Sequence, residues 1–337
     1  MGKEDHPSNE TSPNISGSEV VFRGDFLVLS GRANTALARS VGLILQKEVL
    51  QPISSFADGE VRVQIPENVR RRDIFIIQPT SPPAVNDNIM ELLLMIDAAK
   101  RASAGEITAI IPYFGYARQD RKEMSRVPIS ASLVAKMIEQ SGVARIVTID
   151  IHSEQQAGYV QIPWDNLYGS YSLIPAIESR NLVNLKVVSP DKGGVPRATA
   201  YARRLEAAGV AIVYKERDVL VNDISRALVL EGDVEGNDVL IVDDIIDTAG
   251  TITHAAELLK SRGARKIIVA TTHGVFSGLA LETINKSAID EIIITDTIQH
   301  RPEVESHPKV RIVSVAPMLA GAVCRIHTGE SLTDLIL

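Results

Sequence analysis

Val239-Leu-Ile-Val-Asp-Asp-Ile-Ile-Asp-Thr-Ala-Gly-Thr251 is the stretch around which the chain is organised. Val239 to Val242 is a short β-rich apolar run of the kind that makes a buried parallel strand. Asp243 and Asp244 then stand where that strand would end. Asp247-Thr-Ala-Gly-Thr251 turns the chain into a helix whose apolar residues Ile252, Ala255, Ala256 and Leu259 fall on one face, and Gly263 is placed to end it. A small, hydroxyl-rich turn at a helix N-terminus offers free N–H groups and the positive end of the helix dipole, which suits a phosphate. The two carboxylates would repel a phosphate placed against them. They suit sugar hydroxyls, or a metal, better. A phosphate beside a polyol is a sugar phosphate; the plain alternative is a strand-to-helix turn capped by a Thr.

Asp243-Asp-Ile-Ile-Asp-Thr-Ala-Gly-Thr251 resembles the ribose-5-phosphate loop shared by phosphoribosyltransferases and by the ribose-phosphate pyrophosphokinase (PRPP synthetase) family. Further stretches resemble the second family and not the first. The similarity runs from about Leu29 to the C-terminus. It implies an α/β protein of two phosphoribosyltransferase-like domains, each a mostly parallel sheet flanked by helices. The expected division is a disordered tail over 1–21, an ATP-side domain over 22–165 and a ribose-5-phosphate-binding domain over 166–337, with the last helix free to pack back on the first domain.

Composition is compatible with this. The chain has 337 residues, enough for two domains, and its 45% hydrophobic content allows ordinary cores. A net charge of −7 argues against a general nucleic-acid binder, which needs a basic face. The single cysteine, Cys324, excludes an internal disulfide and a thiolate metal cluster, and its apolar neighbours suggest a small core residue. No apolar run reaches membrane-spanning length, and the polar start from Met1 to Glu19 lacks the apolar core of a signal peptide. A cytoplasmic location is expected.

In the first half, Ser55-Phe-Ala-Asp-Gly-Glu60 followed by Val61-Arg-Val-Gln-Ile65 reads, taken alone, as a charged hairpin. Its family counterpart contacts the adenine of ATP across a subunit boundary, so the resemblance implies that Phe56 stacks on the base while Asp58 and Glu60 hydrogen-bond around it. Asn86-Asp-Asn88 looks like a cap cluster opening a helix. Pro112-Tyr-Phe-Gly-Tyr-Ala-Arg-Gln-Asp-Arg121 follows a strand. Two arginines in an aromatic loop fit either a solvated turn or a polyphosphate clamp, because Arg grips phosphate with two donors. The stretch matches the family word for word, which implies Arg118, Gln119 and Arg121 for ATP. The strand Arg145 to Asp150 runs into Asp150-Ile-His152, and the family's matching histidine contacts magnesium and ATP; by itself a strand-end His is more often structural.

Pro163 to Gly169 looks like the connection between domains. Ser189-Pro-Asp-Lys-Gly-Gly-Val-Pro-Arg197 puts Asp191 at a strand exit beside two glycines, which let a ligand approach the backbone. The family's matching Asp contacts magnesium and the ribose phosphate; an Asp-capped turn is the alternative. Lys215-Glu-Arg-Asp-Val-Leu-Val221 stands where the family has a mobile, more basic lid, and Lys215 and Arg217 keep the two cations that would stabilise the transferred group.

The resemblance therefore implies a ribose-phosphate diphosphokinase using MgATP, with Asp243, Asp244, Asp247, Thr248, Ala249, Gly250 and Thr251 on ribose 5-phosphate, and His152 and Asp191 on Mg2+. Its expected partners are the two substrates and further copies of itself, as dimers assembling to a hexamer, with no nucleic acid and no membrane. The family's phosphate and ADP control involves a basic segment that here reads Lys122-Glu-Met-Ser-Arg126, with Ser314 retained. The alternatives are a phosphoribosyltransferase, a non-catalytic regulatory homologue with an altered lid, and a plain nucleotide-binding module.

Overall fold

The computed structural model describes residues 25–215 and 228–336. The expected tail, and the loop carrying Arg217, fall outside the described residues, as does the side chain of Lys215. The first half supplies strands β1 (Phe26–Ser30), β2 (Val49–Leu50), β3 (Ile53–Ser55), β4 (Val61–Val63), β5 (Asp73–Ile77), β6 (Ile107–Ile111), β7 (Arg145–Ile149) and β8 (Trp164–Leu167). Its helices are α1 (Thr35–Leu45), α2 (Val85–Arg101) and α3 (Ser130–Ser141). The second half supplies α4 (Ser170–Glu178), β9 (Lys186–Ser189), α5 (Val195–Arg204), β10 (Gly209–Lys215), β11 (Leu228–Glu231), β12 (Asp238–Ile246) and α6 (Gly250–Ser261). It continues with β13 (Lys266–Gly274), α7 (Ala280–Lys286), β14 (Glu291–Thr295), α8 (Pro302–Glu305), β15 (Val310–Val313), α9 (Ala316–Thr328) and α10 (Thr333–Ile336).

Two sheets result. The first, in the order β2-β1-β5-β6-β7-β8, is parallel throughout. The second, β11-β10-β9-β12-β13-β14-β15, is parallel except for β11, which returns antiparallel to β10. β3 and β4 form a separate antiparallel hairpin. This is the expected pair of mostly parallel α/β sheets, and helices on both faces explain why the central strands are apolar on both sides.

Each sheet has a core on each face. In the first, α2 and α3 cover one side with Leu92, Met95, Ile96, Val134 and Ile138. α1 and the distant α9 cover the other, Leu37 and Val41 packing with Met318, Leu319 and Val323 over Phe75, Ile110 and Val147. In the second sheet, α6 and α7 cover one face and α4 and α5 the other. The periodic residues of α6 (Ile252, Ala255, Ala256 and Leu259) are all buried, and Gly263 follows the helix at φ +85°, where a Cβ would be strained.

Several local readings need correction. β12 does not stop before the acid pair: its ladder with β13 continues through Asp243↔Thr271 to Ile246↔Gly274. The carboxylates sit inside the strand because β13 is equally long and supplies partners for the backbone. Asn86 to Asn88 do not cap α2; the helix starts earlier, and buried Asn88 reaches back to the Ser81 carbonyl (2.8 Å). Much of Pro163 to Gly169 is β8, still part of the first sheet. Cys324 is exposed, because its neighbours Ala322 and Val323 take the inward side of α9. α4 and α5 carried no distinct signal: Pro175 lies inside α4, and neither helix has a side-chain N-cap bond from its Gly N-cap.

Candidate active site at the sheet junction

Side chains with chemical potential gather at the carboxyl ends of the parallel strands, where open α/β sheets place their ligands. In the second sheet the strand order reverses between β9 and β12, and that switch point is flanked by Asp191, just after β9, and the acid pair of β12. A hollow of about 260 Å³ opens there, lined by Asp191, Asp243, Asp244 and the segment from Asp247 to Thr251, together with Arg118 and His152 from the first half. α6 begins at Gly250, so the turn does stand at a helix N-terminus, and Ala249 at φ +65° bends the chain into it.

A second hollow of about 410 Å³ adjoins the first. Tyr113, Arg118, Gln119, Asp150 and His152 line it from the first half, Asp244 and His273 from the second. Arg118, His152 and Asp244 therefore form a wall common to both hollows.

Bonds between the two halves of the chain hold that wall. His152 Nδ1 lies 2.8 Å from Asp244 Oδ2, and Arg118 Nη1 lies 2.8 Å from Asp247 Oδ2. Arg197, on the first turn of α5, approaches Asp244 Oδ1 at 3.3 Å and Asp243 Oδ1 at 3.5 Å. Asp244 is thus engaged through both oxygens, and its own backbone N–H reaches Asp243 Oδ1 (2.9 Å). These contacts set the charges. The hydrogen bond that His152 donates to the Asp244 carboxylate raises the imidazole above its ordinary value, outweighing the effect of burial. Burial alone would raise Asp244, but His152 and Arg197 hold it well below the usual carboxylate range. Asp243 goes the other way, pushed well up by burial and then by the charge of Asp244. An acid pair split in this way titrates as a unit.

The remaining sites expected from sequence are placed differently. Gln119 accepts from Ser130 Oγ (2.7 Å) at the rim of the larger hollow, while Arg121 is exposed and lines neither hollow. Asp191 Oδ1 accepts the Gly194 N–H (2.7 Å), so it ties down the entry to α5 as well as facing the smaller hollow. Phe56, Asp58 and Glu60 are exposed on the β3–β4 turn and line neither hollow; Asp58 Oδ1 accepts the Glu60 N–H (3.0 Å) and the Phe56 ring is 51% exposed.

Sequence reasoning passed over Arg197, Asp150, Thr272 and His273, all of which build the junction. The signals were present: an Arg just after Gly-Gly-Val-Pro, and the polar Thr-Thr-His inside the apolar run of β13. His273 is buried and neutral, since burial lowers its imidazole; its Nε2–H donates to the Ile149 carbonyl (3.0 Å) and Nδ1 accepts from Thr297 Oγ1 (2.9 Å).

Two mostly parallel α/β sheets, joined so that the turn before α6 and the loops carrying Arg118 and His152 share one wall, define a transferase. Residues 26–142 match the N-terminal domain of ribose phosphate pyrophosphokinase, and residues 219–337 a phosphoribosyl synthetase-associated domain. The chain is 49% identical to ribose-phosphate pyrophosphokinase of Helicobacter hepaticus, over 92% of its own length and 98% of that protein. Identity to the enzyme of the same name from Vibrio parahaemolyticus is also 49%, covering 92% and 99% of the two chains. The crystal structure of phosphoribosylpyrophosphate synthetase from Mycobacterium smegmatis superposes with a TM-score of 0.85 at 36% identity, covering 91% of this chain and all (100%) of that one. The chain belongs to the ribose-phosphate pyrophosphokinase family.

Proposed function

We propose that the protein transfers the β,γ-diphosphoryl group of ATP to the C1 hydroxyl of D-ribose 5-phosphate, giving 5-phosphoribosyl 1-diphosphate and AMP for nucleotide biosynthesis in the cytoplasm. The observation that supports this reading is the wall of Arg118, His152 and Asp244 shared by the two hollows, which suits a polyphosphate on one side and a sugar phosphate on the other. The C1 oxygen attacks the β-phosphorus; the bond from that phosphorus to the α,β-bridging oxygen breaks, AMP departs, and the hydroxyl proton is released. Such transfer depends on positioning and charge neutralisation more than on covalent catalysis by the protein.

In this reading Asp247 to Thr251 anchor the 5-phosphate at the start of α6, and Asp243 and Asp244 hold the ribose hydroxyls. Arg118, Gln119, Arg121 and His152 take the ATP phosphates. Lys215 and Arg217 spread the charge building on the transferred group. Phe56, Asp58 and Glu60, turned away from the hollows of their own chain, serve the adenine of a neighbouring copy, which makes a homo-oligomer, dimers building a hexamer, the working assembly. No helix among the described residues is long and apolar enough to cross a membrane.

The donor set fits a magnesium ion that arrives with the nucleotide. Among the described residues no group of three or more His, Cys, Asp and Glu side chains is gathered to hold a metal unaided. Mg2+ typically keeps several waters and binds through one or two protein groups plus substrate phosphates. Asp191, and His152 through the nitrogen that Asp244 leaves open, are the residues that would hold it. When bound it supplies neutralisation of the polyphosphate charge.

The test is a phosphorus NMR time course with purified protein, MgATP and ribose 5-phosphate. AMP and phosphoribosyl diphosphate should appear together, only with both substrates and not after chelation of the metal. No product with or without added phosphate would leave a non-catalytic regulatory homologue as the better reading.

A further inference from the structure

The end of β7 and the loop after it carry three successive ties to the second half of the molecule. The Ile149 carbonyl accepts from His273, the Asp150 carboxylate accepts from the Thr272 hydroxyl, and His152 meets Asp244. The register Asp243↔Thr271 and Ile245↔His273 sets Thr272 level with Asp244 on the neighbouring strand. The three ties are therefore adjacent rungs between one loop and one strand pair.

Asp150 is the middle rung and its environment is built around it. Its backbone has φ +40°, the left-handed region that a non-glycine residue enters at a cost. The side chain is 8% exposed. Oδ2 takes both the Thr272 hydroxyl and the Gly169 N–H (2.9 Å), and the Asp150 N–H donates to Leu167 O (2.8 Å). Next along, the Ile151 N–H is held by Asn166 Oδ1 (2.9 Å). Gly169 is there for closeness, not for conformation: its φ of −58° suits any residue, but a Cβ would lie 2.3 Å from Thr272 Oγ1 and 2.8 Å from Asp150 Oδ2. A carboxylate held this firmly in a strained backbone, two residues before His152, fixes where that imidazole stands.

We infer that Asp150, clamped by Thr272 and Gly169, is a positioning residue for the transfer reaction, holding the His152 loop in register with Asp244. This rests on the function proposed above. The proposed ribose-5-phosphate turn, Asp247 to Thr251, follows Asp244 in the chain and supplies neither of the bonds that Asp150 Oδ2 accepts. Loosening the clamp should therefore impair turnover while leaving sugar-phosphate binding in place.

Thr272→Val removes the hydroxyl at nearly constant volume, and Thr272→Ser keeps it. The expected result is a kcat lower by about tenfold to a hundredfold for the valine variant, the order expected when a reacting group is misplaced by about an ångström. Ribose 5-phosphate affinity by calorimetry without nucleotide should stay within about twofold, and the serine variant should recover most of the turnover. Gly169→Ala should reproduce the valine result, and decides the matter if Thr272→Val does not fold. Equal kcat in the valine and serine variants overturns the inference, as does joint loss of melting temperature and sugar-phosphate affinity, which marks a merely structural role. A wild-type protein that makes neither product overturns the functional reading and takes the inference with it.

Discussion

Arg118 Nη1 lies 2.8 Å from Asp247 Oδ2, joining residues 129 positions apart in sequence. The arginine belongs to the loop after β6 and the carboxylate to the turn before α6, so each hollow lends a charge to the other. Burial works against ionised Asp247, but Ser277 and Arg118 hold its carboxyl below the usual range. With the arginine 49% and the aspartate 26% exposed, solvent screens most of the attraction. Asp247→Asn should therefore change the urea unfolding free energy by less than about 1 kcal/mol, while ribose 5-phosphate affinity measured by calorimetry falls. A large loss of stability would show that the pair is a structural tie instead.

The His152–Asp244 contact gives a pH dependence of definite sign. His152 is raised, so the stability it contributes is complete below the ordinary imidazole value of about 6.5 and is lost as pH rises through its higher folded value. Asp244 is lowered, so its contribution is complete above the ordinary carboxylate value of about 3.9 and is lost as pH falls through its lower folded value. The charged pair is at full strength between those two values. NMR titration of His152 should give a midpoint above the ordinary value. In Asp244→Asn that midpoint should fall, because burial then acts without the carboxylate; an unchanged midpoint would remove Asp244 as the cause.

Arg197 is the main cation facing the buried ends of Asp243 and Asp244, at 3.5 and 3.3 Å. Removing one partner from such a cluster leaves charge uncompensated, which typically costs about 3–5 kcal/mol. Arg197→Met should destabilise on that order in chemical denaturation. Arg197→Met with Asp244→Asn should recover part of the loss, and a double variant no better than the single one would deny the coupling.

Phe75 on β5 is 1% exposed, packs beneath α1 and α9, and meets Phe26 edge to face with ring centroids 5.6 Å apart. Phe75→Ala should cost about 3–5 kcal/mol through lost burial and the cavity left behind. Phe75→Leu, closer in volume, should cost distinctly less in the same denaturant titration.

The parts of this structure legible in the sequence are those whose cause is local. Ile252, Ala255, Ala256 and Leu259 show α6 by spacing, and the short apolar runs show the strands of both sheets. The site is legible as segments and not as an assembly: resemblance pointed to the segments that carry His152, Arg118 and Asp244, but their mutual contacts span 92 to 129 positions and no local pattern reports them. Asp243 and Asp244 looked like a strand end because polarity usually marks one, whereas the length of β13 carries the ladder past them. Arg197 and Asp150 were passed over because their partners, Asp243 and Asp244 for the arginine and Thr272 for the aspartate, lie 46 to 122 positions away in sequence.

α9 closes the face of the first sheet from the far end of the chain, and His327 Nδ1 in its last turn meets Asp73 Oδ2 at 2.9 Å. On a ribosome the first sheet is thus synthesised early but finished late. From the emergence of β7 until residues 316–328 follow, α1 is the one helix among the described residues that covers the apolar surface of Phe75, Ile110 and Val147. The half of the molecule made first completes its fold after the half made second.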